Sequence, residues 1–268
     1  MISNLAVVHP DAKLGEGVEV APFAIIEGDV VIGDGTYIGS SAVIKDGAII
    51  GKNCIIETGA IIAGVPQDLK FNGEKTTAEI GDRTTIREYA TINRGTAAKG
   101  RTIVGSDCLV MAYVHVGHDC IVGDKVILVN RVSLAGEVEI GDWAIVAGHS
   151  GIHQFTRIGA HSMIGGLLKL VRDAPPYIKA AHEQVSYIGV NSIGLRRRGF
   201  TAEAISEIQD IYRIIFQSNL ATRTAVERVE AEFAPSEHRD AILDFIKSSS
   251  RGIIKQYQSK LKDNDVMV

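Results

Sequence analysis

The sequence predicts a mainly β protein, a parallel β-helix followed by a small helical domain. Three observations predict it. A six-residue hydrophobic period runs through most of the chain. Aromatic residues make up only 6% of it, while glycine occurs 28 times, a balance that suits thin coils with room only for aliphatic and small side chains. Past Pro175 the period changes to that of an amphipathic helix.

The repeat is found by cutting the chain every six residues from Val8. Ten consecutive blocks, VHPDAK to IAGVPQ, each begin with Val, Leu or Ile. The fifth position is nearly always small or β-branched, with Pro66 the exception. The frame breaks over DLKFNGEKTTAE, resumes at Ile80 for three blocks (IGDRTT, IREYAT, INRGTA) and slips again at AKGRT. From Val104 it runs through twelve more blocks to Pro175. Each block reads as a short strand and a corner. The fifth residue and the next block's first lie two apart and face inward together, so the sixth and second positions face outward. The third and fourth form the corner, often Gly-Asp, Gly-Ser or Asp-Gly. Three blocks close one triangular coil.

Beyond Pro175, TAEAISEIQDIYRIIF places Ile205, Ile208, Tyr212, Ile215 and Phe216 at helical spacing. Thr224 to Glu227 (TAVE) reads as a capping box opening a second helix. Ile242, Phe245 and Ile246 predict a third helix, and Ile253, Ile254 and Tyr257 a fourth. The domains expected are residues 1–190 for the β-helix, carrying the catalytic site, and 191–268 for the helical part.

Composition narrows the function. A chain that is 46% hydrophobic and 22% charged reads as soluble and globular, and a net charge of −4 gives no sign of nucleic-acid binding. No run is long enough for a membrane span, so no stable membrane insertion is expected. The N-terminus carries no visible signal peptide. Three cysteines without framework spacing read as free thiols in a reducing compartment, so a cytoplasmic location is expected.

The stretch HVGHDC, His115 to Cys120, is the richest in chemistry. In frame, Cys120 is a fifth-position residue and points inward, like Cys54 and Cys108, so all three read as buried and inert. His115 points out of a flat face, and His118 and Asp119 are corner residues. Taken alone, a Gly-His-Asp corner reads as a solvated or interface feature. The coil period shifts that balance. His118, Gly136 and Gln154 each lie three blocks from the next, so they stack in one corner column, about 5 Å apart. His153 beside Gln154 points outward, and the break at AKGRT borders the same corner. An imidazole next to a glycine that can be approached closely is a pairing of general base and oxyanion donor for acyl transfer.

HVGHDC, the insertion PQDLKFNGE, the INRGT block, GIHQF and GVNSIGLRRRGF together resemble the acyl-carrier-protein-dependent UDP-N-acetylglucosamine 3-O-acyltransferases of lipid A synthesis. The resemblance implies a left-handed β-helix, although parallel crossovers are usually right-handed. It implies transfer of an (R)-3-hydroxyacyl chain from acyl carrier protein to the glucosamine 3-hydroxyl. The roles it implies are His118 as base, Asp119 as its orienting partner and the Gly136 N–H as oxyanion donor. Substrate contacts carry over to Gln67, Asp68, Lys70, Asn93, His115, His153, Gln154, Asn191, Arg197 and Arg198, and Gly166 matches the acyl-chain ruler. No protein-bound cofactor or metal is implied, since the donor arrives on the carrier's phosphopantetheine. A homotrimer is implied, with sites between neighbouring prisms. The acidic carrier would meet a basic patch drawn from Lys169, Arg172, Lys179, Arg196 and Arg213.

The chain departs from the family pattern at Glu137 and Asn93, where histidine is frequent, and at Ile193, where glutamate is frequent. These positions bear on nucleotide contacts and on the choice of hexosamine. Three rivals are weaker. The related N-acyltransferase usually has an extra N-terminal domain, whereas the repeat here begins at Val8. A coenzyme A-dependent acetyltransferase does not account for the full set of motifs. A zinc hydratase on the same helix needs three histidines around the metal, and His115 and His118, one on a face and one at a corner, suit shared ligation poorly.

Overall fold

A computed structural model describes residues 1–256 of the chain. Its architecture is a left-handed parallel β-helix with helices packed at the C-terminal end. Three sheets form the faces of a prism. The first holds nine strands from Val7–Val8 to Lys169–Leu170, and the second eight from Lys13–Leu14 to Arg157–Ile158. The third holds eleven, running from Glu19–Val20 to Met163–Ile164 and ending in Ile178–Ala181, Ser186–Val190 and Lys255–Gln256.

The register confirms the six-residue frame. Val7 pairs with Ile25, Ile25 with Val43 and Val43 with Ile61, each partner standing three blocks further along. First-position residues fill the interior: Ile26, Ile32, Ile38, Ile44, Ile50 and Ile56 are at most 2% exposed. Fifth-position residues complete each layer, with Ala42, Cys54, Val114 and Cys120 buried beside them. Burying one such aliphatic side chain stabilises the fold by about 1.5–3 kcal/mol. The thiols are held there as anticipated. The Cys120 Sγ lies 3.0 Å from the Ala135 carbonyl, and burial pushes its pKa up to about 12.

The fourth position of most corners has a positive φ, even for Phe23, Tyr89, Asp119, Trp143 and Phe155, with φ between 57° and 65°. A left-handed conformation costs a non-glycine residue about 1–2 kcal/mol. The coil imposes it because the chain must turn from one flat face to the next within a single short corner.

The regular coils end with Ala174, which bridges Ile158 on the second face, and with Ile178–Ala181, which pairs parallel with Met163–Ile164 on the third. Ser186–Val190 then returns antiparallel to Ile178–Ala181. Four helices follow: α1 (Ser192–Arg197), α2 (Ala202–Gln217), α3 (Thr222–Glu232) and α4 (Glu237–Lys247). Thr201 caps α2 by accepting from the Ala204 amide, and Ser236 caps α4 by accepting from Arg239. Tyr187 stacks on Phe216 at 4.2 Å, and the Tyr212 hydroxyl donates to the Pro176 carbonyl, which seats α2 on the last coil.

Two sequence expectations need correction here. The second helix (α3) begins at Thr222 with Ala221 as its N-cap, so Thr224 lies inside the first turn and caps nothing. Burial of Ala225, Val226 and Val229 sets the helix phase instead. Ile253 and Ile254 are not helical: Ile253 bridges Asp173, and the Ile254 amide donates to the Asp173 carbonyl. Lys255–Gln256 adds to the open edge strand Ser186–Val190, whose free backbone groups offer partners that a helix would not use. Tyr257 lies outside the described residues. Helix α1 has no sequence forecast, because so short a helix shows no period.

Leu128→Ala should destabilise the protein by about 2–5 kcal/mol, read as a lower midpoint in urea denaturation. Leu128 is fully buried in the column, and no neighbour in a flat coil can move in to fill the space.

Candidate active site

Both breaks in the repeat fall at one corner. Ile61 pairs with Thr91, and Thr91 with His115, and in each pair the partner lies farther along the chain than one regular coil allows. The extra residues lie between Gly64 and Thr77 and between Asn93 and Arg101, each linking a first-face strand to a second-face strand. An insertion inside a strand would break the ladder, whereas a corner can extrude one. The two loops project side by side over the corner that carries His118 and Asp119.

That placement changes the expected environment of the pair. Both were expected as outward corner residues, but His118 is 8% exposed and Asp119 fully buried, because the loop after Asn93 folds back over them. The Asp119 Oδ2 lies 2.8 Å from the His118 Nδ1. The same Oδ2 accepts the Thr96 hydroxyl at 2.7 Å. Its Oδ1 accepts the amides of Thr96 at 2.9 Å and Lys99 at 3.2 Å. The Asp119 amide donates to the Thr102 hydroxyl at 2.8 Å. Burial alone would raise the Asp119 pKa, but the bonds from His118, the Thr96 side chain and the two amides together hold it below the usual carboxylate value. Asp119 is therefore an anion that keeps a proton on the Nδ1 of His118 and leaves Nε2 facing the open side. On that side the Asp68 carboxylate lies 4.0 Å from Nε2.

Gly136 sits one coil on. A β-carbon there would lie 2.4 Å from the His118 Nε2, so only glycine lets the imidazole occupy this position. At the corner between the second and third faces, the third-position amides of Glu16, Lys52, Ser106 and Asp124 each donate to the aspartate one coil on. In the column of Gly136 the next coil offers Gln154, whose side chain makes no such bond. Among the described residues the Gly136 N–H has no hydrogen-bond partner, so a buried donor is left for a ligand oxygen.

The other residues singled out in the sequence divide among three corners. Gln67, Asp68 and Lys70 lie on the longer loop, where the Asp68 side chain accepts the Lys70 amide. Asn93 roots that loop, its amide donating to the Val65 carbonyl while its Oδ1 is buried without a partner. His115 bonds Thr91 at 2.8 Å, and burial, then the nearby His118, lower its pKa. His153 is exposed and Gln154 half-buried at the same corner.

Asn191, Arg197 and Arg198 lie instead beyond the corner between the second and third faces. There the Asn191 side chain donates to the His161 carbonyl at 2.9 Å. Arg198 lies over the Trp143 ring and 3.3 Å from the His161 Nδ1. Burial and the Arg198 charge bring the His161 pKa down to about 4. Ile193 is exposed on α1, and Glu137 is half-buried beside Gly136. Gly166 lies at the third corner, where a β-carbon would meet the Gly148 carbonyl at 3.1 Å. A single chain thus gathers His118, Asp119 and Gly136 at one corner, but not the arginines or Gly166.

Of the five basic surface residues, Lys169 and Arg172 border one open cavity near Lys255, and Arg213 is paired with Asp210. Thr96, Lys99 and Thr102 were missed at the sequence level. Their tie to Asp119 exists only once the loop folds back, and no spacing rule encodes it. Among the described residues no three His, Cys, Asp or Glu side chains converge as a metal-binding set.

Residues 173–254 match the family model described as UDP N-acetylglucosamine O-acyltransferase, domain 2. Residues 29–64 and 101–136 match that of the bacterial transferase hexapeptide, six repeats. The acyl-[acyl-carrier-protein]–UDP-N-acetylglucosamine O-acyltransferase of Burkholderia mallei is 49% identical over 199 residues, covering 72% of this chain and 76% of that protein. Among solved structures, the UDP-N-acetylglucosamine acyltransferase of Bacteroides fragilis is 52% identical, with a TM-score of 0.94 over 95% of this chain and all of that one. That of Francisella novicida is 39% identical, with a TM-score of 0.93 over 96% of this chain and 94% of that one. With half its residues shared over most of its length and the same fold throughout, the chain belongs to the acyl-[acyl-carrier-protein]–UDP-N-acetylglucosamine O-acyltransferase family.

Proposed function

We propose that this protein transfers an (R)-3-hydroxyacyl chain from acyl carrier protein to the glucosamine 3-hydroxyl of UDP-N-acetylglucosamine, the first step of lipid A synthesis. The observation that carries the reading is the buried His118–Asp119 pair set against the unpartnered Gly136 N–H. The Nε2 of His118 takes the proton of the 3-hydroxyl as that oxygen attacks the thioester carbonyl. The carbonyl oxygen becomes an oxyanion and accepts from the Gly136 N–H. Collapse breaks the carbon–sulfur bond, and the imidazolium returns its proton to the departing phosphopantetheine thiolate. Asp119 stays ionised, holds the tautomer and stabilises the imidazolium. The balance closes without an enzyme-bound cofactor, metal or covalent intermediate.

The division of residues among three corners supports a homotrimer. In a threefold ring, one prism's His118 corner faces another face of its neighbour, which brings Asn191, Arg197 and Arg198 toward a shared nucleotide and Gly166 toward the end of an acyl chain. Paired arginines suit a pyrophosphate. Gln67, Asp68, Lys70, Asn93, His115, His153 and Gln154 would line the sugar and pantetheine side. The coils, residues 1–190, would carry catalysis, and residues 191–268 would present Arg196 and Arg213, with Lys169, Arg172 and Lys179 nearby, to the carrier. No described helix is long and apolar enough to cross a membrane. We place the enzyme in the cytoplasm, where its acyl-carrier donor is made.

His118→Ala should lower turnover by roughly 10²–10⁴-fold in an acyl-transfer assay with defined acyl carrier proteins, while the trimer persists in light scattering. Near-wild-type turnover would refute the base assignment. Gly136→Ala should cost roughly 10²-fold in kcat, because its methyl displaces the imidazole; equal activity at unchanged stability would rule out the close approach. Replacing Gly166 by methionine should shorten the preferred acyl chain, and an unchanged length profile would reject its role as ruler.

A further inference from the structure

The carboxylate of Asp119 does two separate jobs with its two oxygens. Oδ1 receives only the backbone amides of Thr96 and Lys99, which suffices to hold the folded-back loop. Oδ2 receives His118 and, on the same atom, the Thr96 hydroxyl. A purely structural carboxylate would not need a second side-chain donor on the oxygen that faces the imidazole. Thr96 is itself 6% exposed and held rigidly. Its carbonyl accepts the Gly100 amide at 2.7 Å, its hydroxyl accepts the Ala98 amide at 3.2 Å, and the Thr76 hydroxyl donates to the adjoining Gly95 carbonyl at 2.6 Å. A β-carbon on Gly95 would fall 2.2 Å from the Arg101 amide, so the loop closes tightly on itself. Its far side is braced by the Lys99–Glu139 pair at 3.0 Å.

We infer that Thr96 is a positioning residue for the proposed base, one that aims Asp119 Oδ2 at His118 and withdraws part of its charge. The inference rests on the His118–Asp119 reading above. A hydroxyl donated to Oδ2 competes with the imidazole for the same negative charge. Without it, Oδ2 would hold the imidazolium more strongly against the unchanged background of Asp68, 4.0 Å from Nε2, and the neighbouring His115, and a higher pH would be needed to free the base. The carboxylate would also lose one of the bonds that set its rotamer, so the His118 ring would sample orientations that do not reach the acceptor hydroxyl. The shorter insertion then has a catalytic reason as well as a structural one: it carries the donor that an ordinary corner lacks.

The test compares Thr96→Val, Thr96→Ser and His118→Ala in the assembled enzyme, with kcat and KM for UDP-N-acetylglucosamine followed across pH. Thr96→Val should lower kcat about ten-fold or more, leave KM within about two-fold, and move the acid limb of kcat/KM to higher pH. Thr96→Ser, which keeps the hydroxyl, should restore both the rate and the limb. If Thr96→Val does not fold, as judged by thermal melting, Thr96→Ala takes its place in the comparison. An unmoved acid limb, a loss confined to KM, or a serine variant as impaired as the valine one would overturn the inference. His118→Ala separates the two layers. If it is inactive while Thr96→Val is normal, the positioning role alone fails; if it is active, the reading of the base fails first.

Discussion

Closure of the coil after three hexapeptide blocks is the constraint on which everything else depends. Each coil must present the same backbone edge to the next, so strand length and corner position cannot drift. Once the ladder from Val7 through Ile25 and Val43 is set, every later residue inherits a column and a direction. The interior column is aliphatic because three faces leave no room for more. The corner columns are where chemistry can sit, since their side chains are outside the core yet held by the coils on either side. The cost is a left-handed residue at most corners, offset by the parallel bonds and the buried isoleucines that the corner makes possible.

The same constraint explains why both insertions lie at a corner and why the histidine pair lies beneath them. A flat β-helix surface is convex and wet, and a base there would be fully hydrated. Two loops extruded from neighbouring coils convert one edge into a sheltered recess. Within it, Asp119 receives bonds on both oxygens, so the burial of its charge is compensated by donors rather than by protonation. The imidazole packs where a side chain at position 136 would stand, and the absence of an acceptor in the next coil leaves an amide exposed to whatever enters.

In the proposed reading, recognition and chemistry are separated in the chain. His118, Asp119 and the Gly136 amide belong to the first corner, the stacked group of Trp143, His161 and Arg198 to the second, and Gly166 to the third. His161, neutral because of burial and the neighbouring guanidinium, accepts from Arg198 through its ring, and its carbonyl accepts from Asn191, so two residues of the proposed nucleotide contact are organised by one. In the proposed trimer each prism lends two of its edges to its neighbours, and a substrate long enough to carry both a nucleotide and an acyl chain meets all three kinds.

The period alone determined the coil, the inward cysteines, the direction of His115 and the stacking of His118, Gly136 and Gln154, because each follows from counting along a regular backbone. The helices α2 and α4 were equally legible, since their apolar faces repeat. Only the tertiary structure decided how deeply His118 and Asp119 are buried and that Thr96, Lys99 and Thr102 surround the carboxylate. It also turned Ile253 and Ile254 into an edge pairing with Asp173 rather than a helix. Those outcomes depend on where an irregular loop or tail folds back. A loop has no period, and its contacts are with residues far along the chain, so no local pattern in the sequence records them.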